Sequence, residues 1–439
     1  MVLVTRGFPP AGRWGSEGYA HDIAVGLARR GHRVDVFFPL DGVGALRARE
    51  VEPGLRVFEL PLRPHLGKPL RDSYDDSRQD HSFRELLERE GPYDRVHFTA
   101  LAGGVSLGLI HVAREKAREV WVTLTEFLPF CHRGQFLDAG IRPCRDGPDP
   151  ALCSSCITGR GPYGEHSIRA ALRSGLIRVL MPFHRILPRL PGPGAFRKRE
   201  ACVAVALSKV DLFLAPSTGL MDRYLELGMA RERLEYLPYA LEPRRYAGFR
   251  REPPGDTIRL TFMAQLAPHK GAHVIVGALE LLEPELRQRL RVAAHGAATS
   301  HHYPRYAEEL IETSRASDLP IDFPGPFPPD EVQSVLARTD LLLLPSLWLE
   351  NLPLVLLHAR ACGIPVLASR VAGITPFVQD GEDGLLAEPG DTGAWAKVLA
   401  RLVREKELLS RLEEGAALAG VPLSFEEHLD VLEGEQGRE

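Results

Sequence analysis

Two short segments pair a charged side chain with what reads as the start of a helix. In Phe262-Met263-Ala264-Gln265-Leu266-Ala267-Pro268-His269-Lys270-Gly271 an apolar run ends in a Pro-His-Lys-Gly turn. Lys270 there can place a point charge on a diphosphate. The plainer reading of a lone lysine is a solvated one. In Pro345-Ser346-Leu347-Trp348-Leu349-Glu350-Asn351-Leu352-Pro353 the preceding run Leu341–Leu344 leads to Glu350, and Pro353 suits a first helical turn. A helix N-terminus at this point offers free N–H groups and a positive dipole end to a phosphate. Glu350 either accepts hydrogen bonds from a ligand's hydroxyls or caps the helix.

A third constellation is made of cysteines. Cys131, Cys144, Cys153 and Cys156 have intervening lengths of 12, 8 and 2 residues. Four thiolates so spaced can close tetrahedrally on zinc, and the metal would fold a loop too polar to fold by itself. Free thiols, a redox pair and an iron–sulfur cluster would use the same residues. Cys202 and Cys362 lie in helical patterns and read as packing.

The elements that must hold these residues follow from apolar periodicity. Val2–Val4 reads as a strand, and a Gly/Pro loop follows from Gly7 to Gly18. Ile23, Leu27 and Ala28 then recur at helical spacing, Gly31 ends the helix, and Arg33–Phe38 is a second strand. Further apolar runs at Arg95–Phe98, Val120–Leu124 and Leu212–Ala215 continue the series. After the polar run Arg250–Gly255 a second series begins, with strands expected at Arg259–Ala264, Leu290–His295, Leu341–Leu344, Pro365–Ala368 and Leu385–Leu386. Continuous apolar strands alternating with helices imply parallel sheets covered on both faces. The expected fold class is α/β: two doubly wound, Rossmann-like domains, with a linker near 238–256 and the ligand in the cleft between them. The domains are placed at 1–240 and 241–420, with a Cys-rich insertion at 127–165 in the first. A tail at 421–439 either crosses back to the first domain or does not. Helical patterns are expected at 392–417 and 424–433. His97 ends the strand Arg95–Phe98 and either faces the cleft or is buried as a structural histidine.

The strings AQLAPHKG, LPSLWLENLPLVLLHARACGIPVLAS and DGEDGLLAEPGD resemble the retaining glycosyltransferase family four. The opening, GRWGSEGY from Gly12 to Tyr19 followed by LARRGHRVDVF, is similar to that family's glycine-rich first loop. The resemblance covers nearly the whole chain. It implies the GT-B fold, a nucleotide-sugar donor such as a UDP- or GDP-sugar in the cleft, and retention of configuration without a catalytic metal. By position it implies that Lys270 neutralises the donor diphosphate. Glu350, the first glutamate of the Glu-x7-Glu motif, contacts the transferred sugar. Asn351 and the backbone of Leu352, Pro353, Leu354 and Val355 meet phosphate or sugar, and Gly15 lets the substrates approach the first loop. Glu17, His97, Thr125 and Glu126 fall on the acceptor side, with His97 and Glu126 as catalytic candidates beside Lys270 and Glu350. Pro324-Gly325-Pro326-Phe327 is the candidate contact with the base. Cys131-His132-Arg133-Gly134-Gln135 resembles a cysteine loop found in family-four-like transferases.

Four positions depart from the family pattern. The second glutamate of Glu-x7-Glu is His358, whose imidazole can bond a ribose hydroxyl without bidentate geometry. The arginine five residues before the lysine is Gln265. Thr125 stands where the family has a histidine, and Pro376 where it has a glutamate. An alternative from another class therefore stands beside the transferase: a degenerate GT-B protein that binds nucleotide-sugar or acts as a scaffold. A sugar phosphorylase is a third reading, but no segment resembles its pyridoxal-phosphate lysine site.

Composition excludes some partners. The net charge of −4 and pI near 6.5 leave no global nucleic-acid footprint. No run approaches the ~18 apolar residues of a spanning helix. Met1–Thr5 is too short for a signal-peptide core, so a cytoplasmic protein is expected. One local exception is segment 166–199, which has no acidic residue and carries Arg169, Arg173, Arg178, Arg185, Arg189, Arg197, Lys198 and Arg199 among Leu, Ile and Val. It is either a basic amphipathic surface for an anionic membrane, suiting a lipid-linked acceptor, or a helix with a solvated basic face.

Overall fold

The computed structural model describes residues 1–12, 15–40, 46–61, 74–101, 104–144, 147–158, 192–298, 303 and 305–434. Of the segment 166–199 expected at a membrane, residues 166–191 lie outside them. Two sheets account for the strands. The first holds β1 (Val2–Val4), β2 (Val34–Leu40), β3 (Arg47–Glu52), β4 (Leu55–Pro61), β5 (Tyr93–Phe98), β6 (Ala117–Thr123), β7 (Leu212–Ala215) and β8 (Leu234–Tyr236). Its order is β3-β4-β2-β1-β5-β6-β7-β8, parallel except for the antiparallel β3–β4 pair. The second holds β9 (Ile258–Met263), β10 (Leu290–His295), β11 (Ile321–Asp322), β12 (Leu341–Leu344), β13 (Val366–Ser369) and β14 (Gly384–Ala387), all parallel, in the order β11-β10-β9-β12-β13-β14.

Hydrophobicity explains this arrangement. The central strands β1, β12 and β13 are buried along their whole length, as strands covered by helices on both faces must be. β3 is the contrary case: its sequence Arg-Ala-Arg-Glu-Val-Glu stays exposed or half-exposed because it sits at the sheet edge. The expected helix over 392–417 is two helices, Thr392–Arg404 and Leu408–Ala419, broken at Glu405–Glu407. The break lets Leu408 and Leu412 turn into the core, where both are fully buried.

One hydrophobic cluster runs through both domains. It joins Leu3, Ile23 and Trp121 to Leu342, Leu356 and Val366 through the connecting residues Leu237, Tyr239 and Leu241. The last helix, Phe425–Glu433, opens on a Ser424/Glu427 capping box and lies against the first helix, Ser16–Arg29. A Cβ added at Gly26 would come within 2.8 Å of Leu429, so the two helices touch at a glycine. Arg30 ties down the polar flank by binding Asp430 and Glu433, each at 2.7 Å. Tyr19 Oη and His428 Nε2 are hydrogen-bonded at 2.9 Å beneath it. The helix Phe425–Glu433 therefore packs on the first domain.

Candidate functional site

The ends of β9 and β12 bring Lys270 and Glu350 together across 80 residues of sequence. Lys270 closes the 3₁₀ turn Pro268–Lys270, and its Nζ lies 2.7 Å from Glu350 Oε1. Ser346 donates its hydroxyl to the same oxygen at 2.6 Å. The ammonium also stands 5.1 Å from the centroid of the Trp348 ring. Glu350 is buried and its backbone is left-handed, with φ of 52°. A non-glycine residue held so costs about 1–3 kcal/mol, and such strain collects at functional sites. Gly373 packs so closely that an added Cβ would lie 2.4 Å from the Glu350 carbonyl oxygen. The pair is thus a held cation with a neutralising carboxylate. A diphosphate can compete with Glu350 for that cation.

The helix Leu354–Ala361 begins immediately beyond, with Leu352 and Pro353 buried at its entry and Leu354 half-exposed. Asn351 looks the other way. Its side-chain amide donates to the Thr125 carbonyl at 2.8 Å and to Tyr239 Oη at 3.3 Å, joining the Glu350 loop to the end of β6. The cysteine loop makes a second bridge. Arg133 donates to Tyr303 Oη, and Gln135 Nε2 lies 3.3 Å from His269 Nε2, next to Lys270. Arg133, Gln135, Ser346, Trp348 and Tyr239 were not singled out by sequence reasoning for these contacts. Ser346 and Trp348 do stand in the PSLWLEN string, at i−4 and i−2 from Glu350.

On the facing domain, Gly15 caps the first helix with φ of 59° and ψ of −127°, a conformation that favours glycine, and among the described residues no atom lies within 4 Å of where its Cβ would be. Glu17, in the first turn, is nine-tenths buried and accepts from Arg6 Nε at 2.6 Å. Arg6 was also missed. Burial opposes its charge, yet Glu17 and Glu126 outweigh that and hold its pKa raised. Glu126 is half-buried; desolvation pushes its pKa up, and the charge of Glu17 adds to the rise. The Tyr224 hydroxyl donates to the Glu126 carbonyl.

The remaining candidates sit elsewhere. His97 is fully buried, with Nε2 2.7 Å from Thr123 Oγ1. His358 is buried, and its Nδ1 is bonded to Tyr246 Oη of the linker turn. In the same turn Arg245 binds Asp22 of the first helix at 2.9 Å. Gln265 is exposed after β9, and Phe327 packs edge-on against His295 at 5.1 Å.

Buried histidines make the fold acid-sensitive. Desolvation lowers His97, His269 and His358 to about 3 and His273 and His428 to about 4. Each takes a proton near its ordinary 6.5 once unfolded. The unfolded state therefore binds more protons below pH 6.5, and stability falls as pH drops from there toward 4. Each histidine contributes about 1.4 kcal/mol per pH unit in that window. Asp80, pushed up to about 6 by burial, acts in the opposite sense. The denaturant midpoint is expected to fall steeply between pH 7 and pH 5; a flat midpoint would contradict neutral burial.

The four cysteines of the insertion are free thiols. Cys153 and Cys156 are one turn apart on the helix Pro150–Thr158. Burial pushes Cys144 and Cys153 up to about 11 and raises Cys156, with Cys131 adding to each. Such thiols are protonated and unreactive at neutral pH. Among the described residues no three His, Cys, Asp or Glu side chains are arranged to hold a metal ion. None of the described helices is long and apolar enough to cross a membrane.

Two facing parallel-sheet domains with a charged loop at the strand ends define the GT-B architecture. Residues 248–418 match the family of glycosyl transferases group 1, and residues 15–152 match the glycosyl transferase 4-like domain. Both halves of the chain thus match glycosyltransferase family models, the first of the family-four type. A D-inositol 3-phosphate glycosyltransferase from Corynebacterium efficiens is 36% identical over 163 residues, covering 36% of this chain and 37% of that protein. One of the same name from Nocardia farcinica is 31% identical over 226 residues, covering 49% of each. The chain thus matches less than half the length of these relatives. Among solved structures, Anabaena Alr3699/HepE in complex with UDP and glucose superposes with a TM-score of 0.63 at 15% identity, covering 99% of both chains. WaaG, a glycosyltransferase involved in lipopolysaccharide biosynthesis, gives 0.63 at 16% identity, covering 99% of this chain and 100% of that one. These likenesses show the fold.

Proposed function

We propose that the chain transfers a sugar from a nucleotide-sugar to an acceptor with retention of configuration, in the synthesis of a polysaccharide, glycolipid or other glycoconjugate. The observation that carries this reading is the Lys270–Glu350 pair at the mouth of the helix Leu354–Ala361. A diphosphate drawn to Lys270 frees Glu350 to accept hydroxyls of the transferred sugar. The acceptor hydroxyl attacks the anomeric carbon on the face from which the phosphate departs. The bond to the diphosphate oxygen breaks as the new glycosidic bond forms, and the departing phosphate takes the proton. Lys270 and the helix N-terminus stabilise the charge that develops there. No protein nucleophile is required.

The relatives are named for inositol 3-phosphate, but the match covers too little of them to carry that acceptor over. UDP is the nucleotide favoured by the structural neighbour solved with it; GDP is the other candidate. The test is turnover: the purified protein with UDP-glucose and GDP-mannose, with the product anomer read by NMR. An α-linked product or α-sugar from hydrolysis supports the reading. An inverted anomer would overturn retention. Nucleotide binding without any turnover would favour the degenerate-scaffold alternative, which His358, Gln265 and Thr125 motivate.

Zinc at Cys131, Cys144, Cys153 and Cys156 belongs to the same proposal as a structural ion. Its chemistry fits four thiols, but they would have to draw in and lose their protons on binding. Metal analysis of the purified protein is expected to give about one zinc per chain; none in folded protein would mean a thiol-only loop. Contact of 166–199 with the inner face of a membrane is likewise proposed, from charge alone, and sedimentation with anionic vesicles tests it.

A further inference from the structure

We infer that Gln135 of the first domain is a positioning residue for the donor diphosphate, acting on Lys270 through His269; this deepens the transferase reading above and rests on it. The backbone aims the side chain. Gly134 has φ of 79° and Phe136 has φ of 51°, so Gln135 stands between two left-handed residues. Both neighbours are held. Phe136 is buried, packs edge-on against Phe127 at 4.9 Å, and its carbonyl accepts from the Cys144 N–H at 2.7 Å. The Gly134 carbonyl accepts from the Phe127 N–H at 2.9 Å. A non-glycine residue kept in this conformation is a feature that collects at functional sites. From this fixed frame the Gln135 amide reaches Nε2 of His269 at 3.3 Å. Arg133, two residues earlier, secures the same loop by donating to Tyr303 Oη.

His269 is where two loops of the second domain are stitched together. It is the middle residue of the turn Pro268–Lys270, and its carbonyl accepts from the Leu347 N–H at 2.9 Å. Its ring lies edge-on to Trp348 at 6.3 Å, and Lys270 Nζ stands 5.1 Å from the centroid of that same indole. Trp348 in turn joins the hydrophobic cluster that holds Phe127 and Phe136 of the first domain. Fixing the His269 ring therefore fixes both the turn that carries Lys270 and the segment that carries Ser346 and Glu350.

Desolvation keeps the imidazole neutral, lowering its pKa to about 3. A neutral ring accepts at Nε2 from the Gln135 amide and carries its proton on Nδ1. Nδ1 is buried without a partner, so among the described residues Gln135 is the ring's one hydrogen-bond partner. Loss of that bond frees the ring, and the Lys270 charge is no longer held at one place. The consequence is selective. Affinity for the phosphates falls, while the base and ribose, which Lys270 does not meet, keep theirs.

The test is the gain in affinity that a second phosphate confers, UDP over UMP and GDP over GMP, by calorimetry on the full-length protein. A disturbed fold weakens both members of a pair alike; a misplaced Lys270 weakens the diphosphate alone. Gln135→Leu keeps the bulk and removes the amide. It is expected to reduce the diphosphate-to-monophosphate ratio about three- to tenfold, the worth of one hydrogen bond, with monophosphate affinity nearly unchanged. His269→Phe keeps the ring beside Trp348 and removes the acceptor; it should reproduce the loss and serves if the leucine variant fails to fold. In Lys270→Ala protein, Gln135→Leu should change the ratio by less than about twofold, because a residue that acts through Lys270 then has nothing to act on. An unchanged ratio in Gln135→Leu, equal losses of monophosphate and diphosphate, or an undiminished effect on top of Lys270→Ala would each overturn the inference while wild-type nucleotide affinity stands. Wild-type protein that binds neither UDP nor GDP, or gains nothing from the second phosphate, would remove the reading beneath it.

Discussion

Lys270→Ala should weaken nucleotide-sugar binding by about 10- to 150-fold, the equivalent of the ~1.5–3 kcal/mol typical of a charge-assisted hydrogen bond. The same change should destabilise the ligand-free protein. Glu350 is buried, and among the described residues Lys270 supplies the only cation on its Oε1, at 2.7 Å, with Ser346 as the other partner. Removing the lysine leaves a buried carboxylate held by one hydroxyl, a loss of about 1–3 kcal/mol, kept modest because the lysine is about a quarter exposed. A double variant, Lys270→Ala with Glu350→Gln, should recover most of the stability and none of the affinity. Thermal unfolding with and without nucleotide separates the two effects. Recovery of both, or of neither, would mean that the pair is not the donor's anchor.

Gly271→Ala should be more damaging to the fold than any single charge removal in the site. Gly271 has φ of 76°, and its Cβ would lie 1.8 Å from the Pro345 carbonyl oxygen. The left-handed backbone alone costs alanine about 1–2 kcal/mol. The overlap forces the Lys270 turn away from the segment that carries Ser346 and Glu350, adding about 1–3 kcal/mol. Donor affinity should fall with stability, because both charges move apart. Gly15→Ala is the control: φ is 59°, but nothing among the described residues lies within 4 Å, so the dihedral cost is the term that applies. Similar losses from the two variants would show that crowding at Pro345 is not what matters.

Residues of the strand centres were readable because their burial leaves a continuous apolar run. Val2–Val4, Leu212–Ala215, Leu290–His295 and Leu341–Leu344 are strands with the expected bounds. β3 was not, because an edge strand has no apolar face to show: Arg47–Glu52 carries four charged residues and only Ala48 and Val51 between them. β11, only Ile321–Asp322, is too short to carry a pattern. In the site, Lys270 and Glu350 each follow a strand, and parallel strands of one sheet deliver their C-terminal ends to one edge. That logic reaches both residues. It does not reach Asn351 bonded to Thr125, since nothing periodic links residues 226 apart. Nor does it reach Arg6, a single cation after a three-residue strand, or the Tyr246–His358 bond, which depends on how the linker turn settles. His97 shows the limit most plainly. A strand end places it at the cleft edge, but only the packing of Trp121 and Thr123 around it shows that it is enclosed.

The most direct test of the central claim is a calorimetric titration of UDP, GDP and ADP, and of their common sugars, into wild-type protein and Lys270→Ala. The predicted result is saturable binding of one nucleotide series to the wild type, with affinity at least tenfold weaker in the variant. Folded wild-type protein that binds none of them, or that binds no more tightly than Lys270→Ala, would contradict a nucleotide-sugar site built on Lys270 and Glu350.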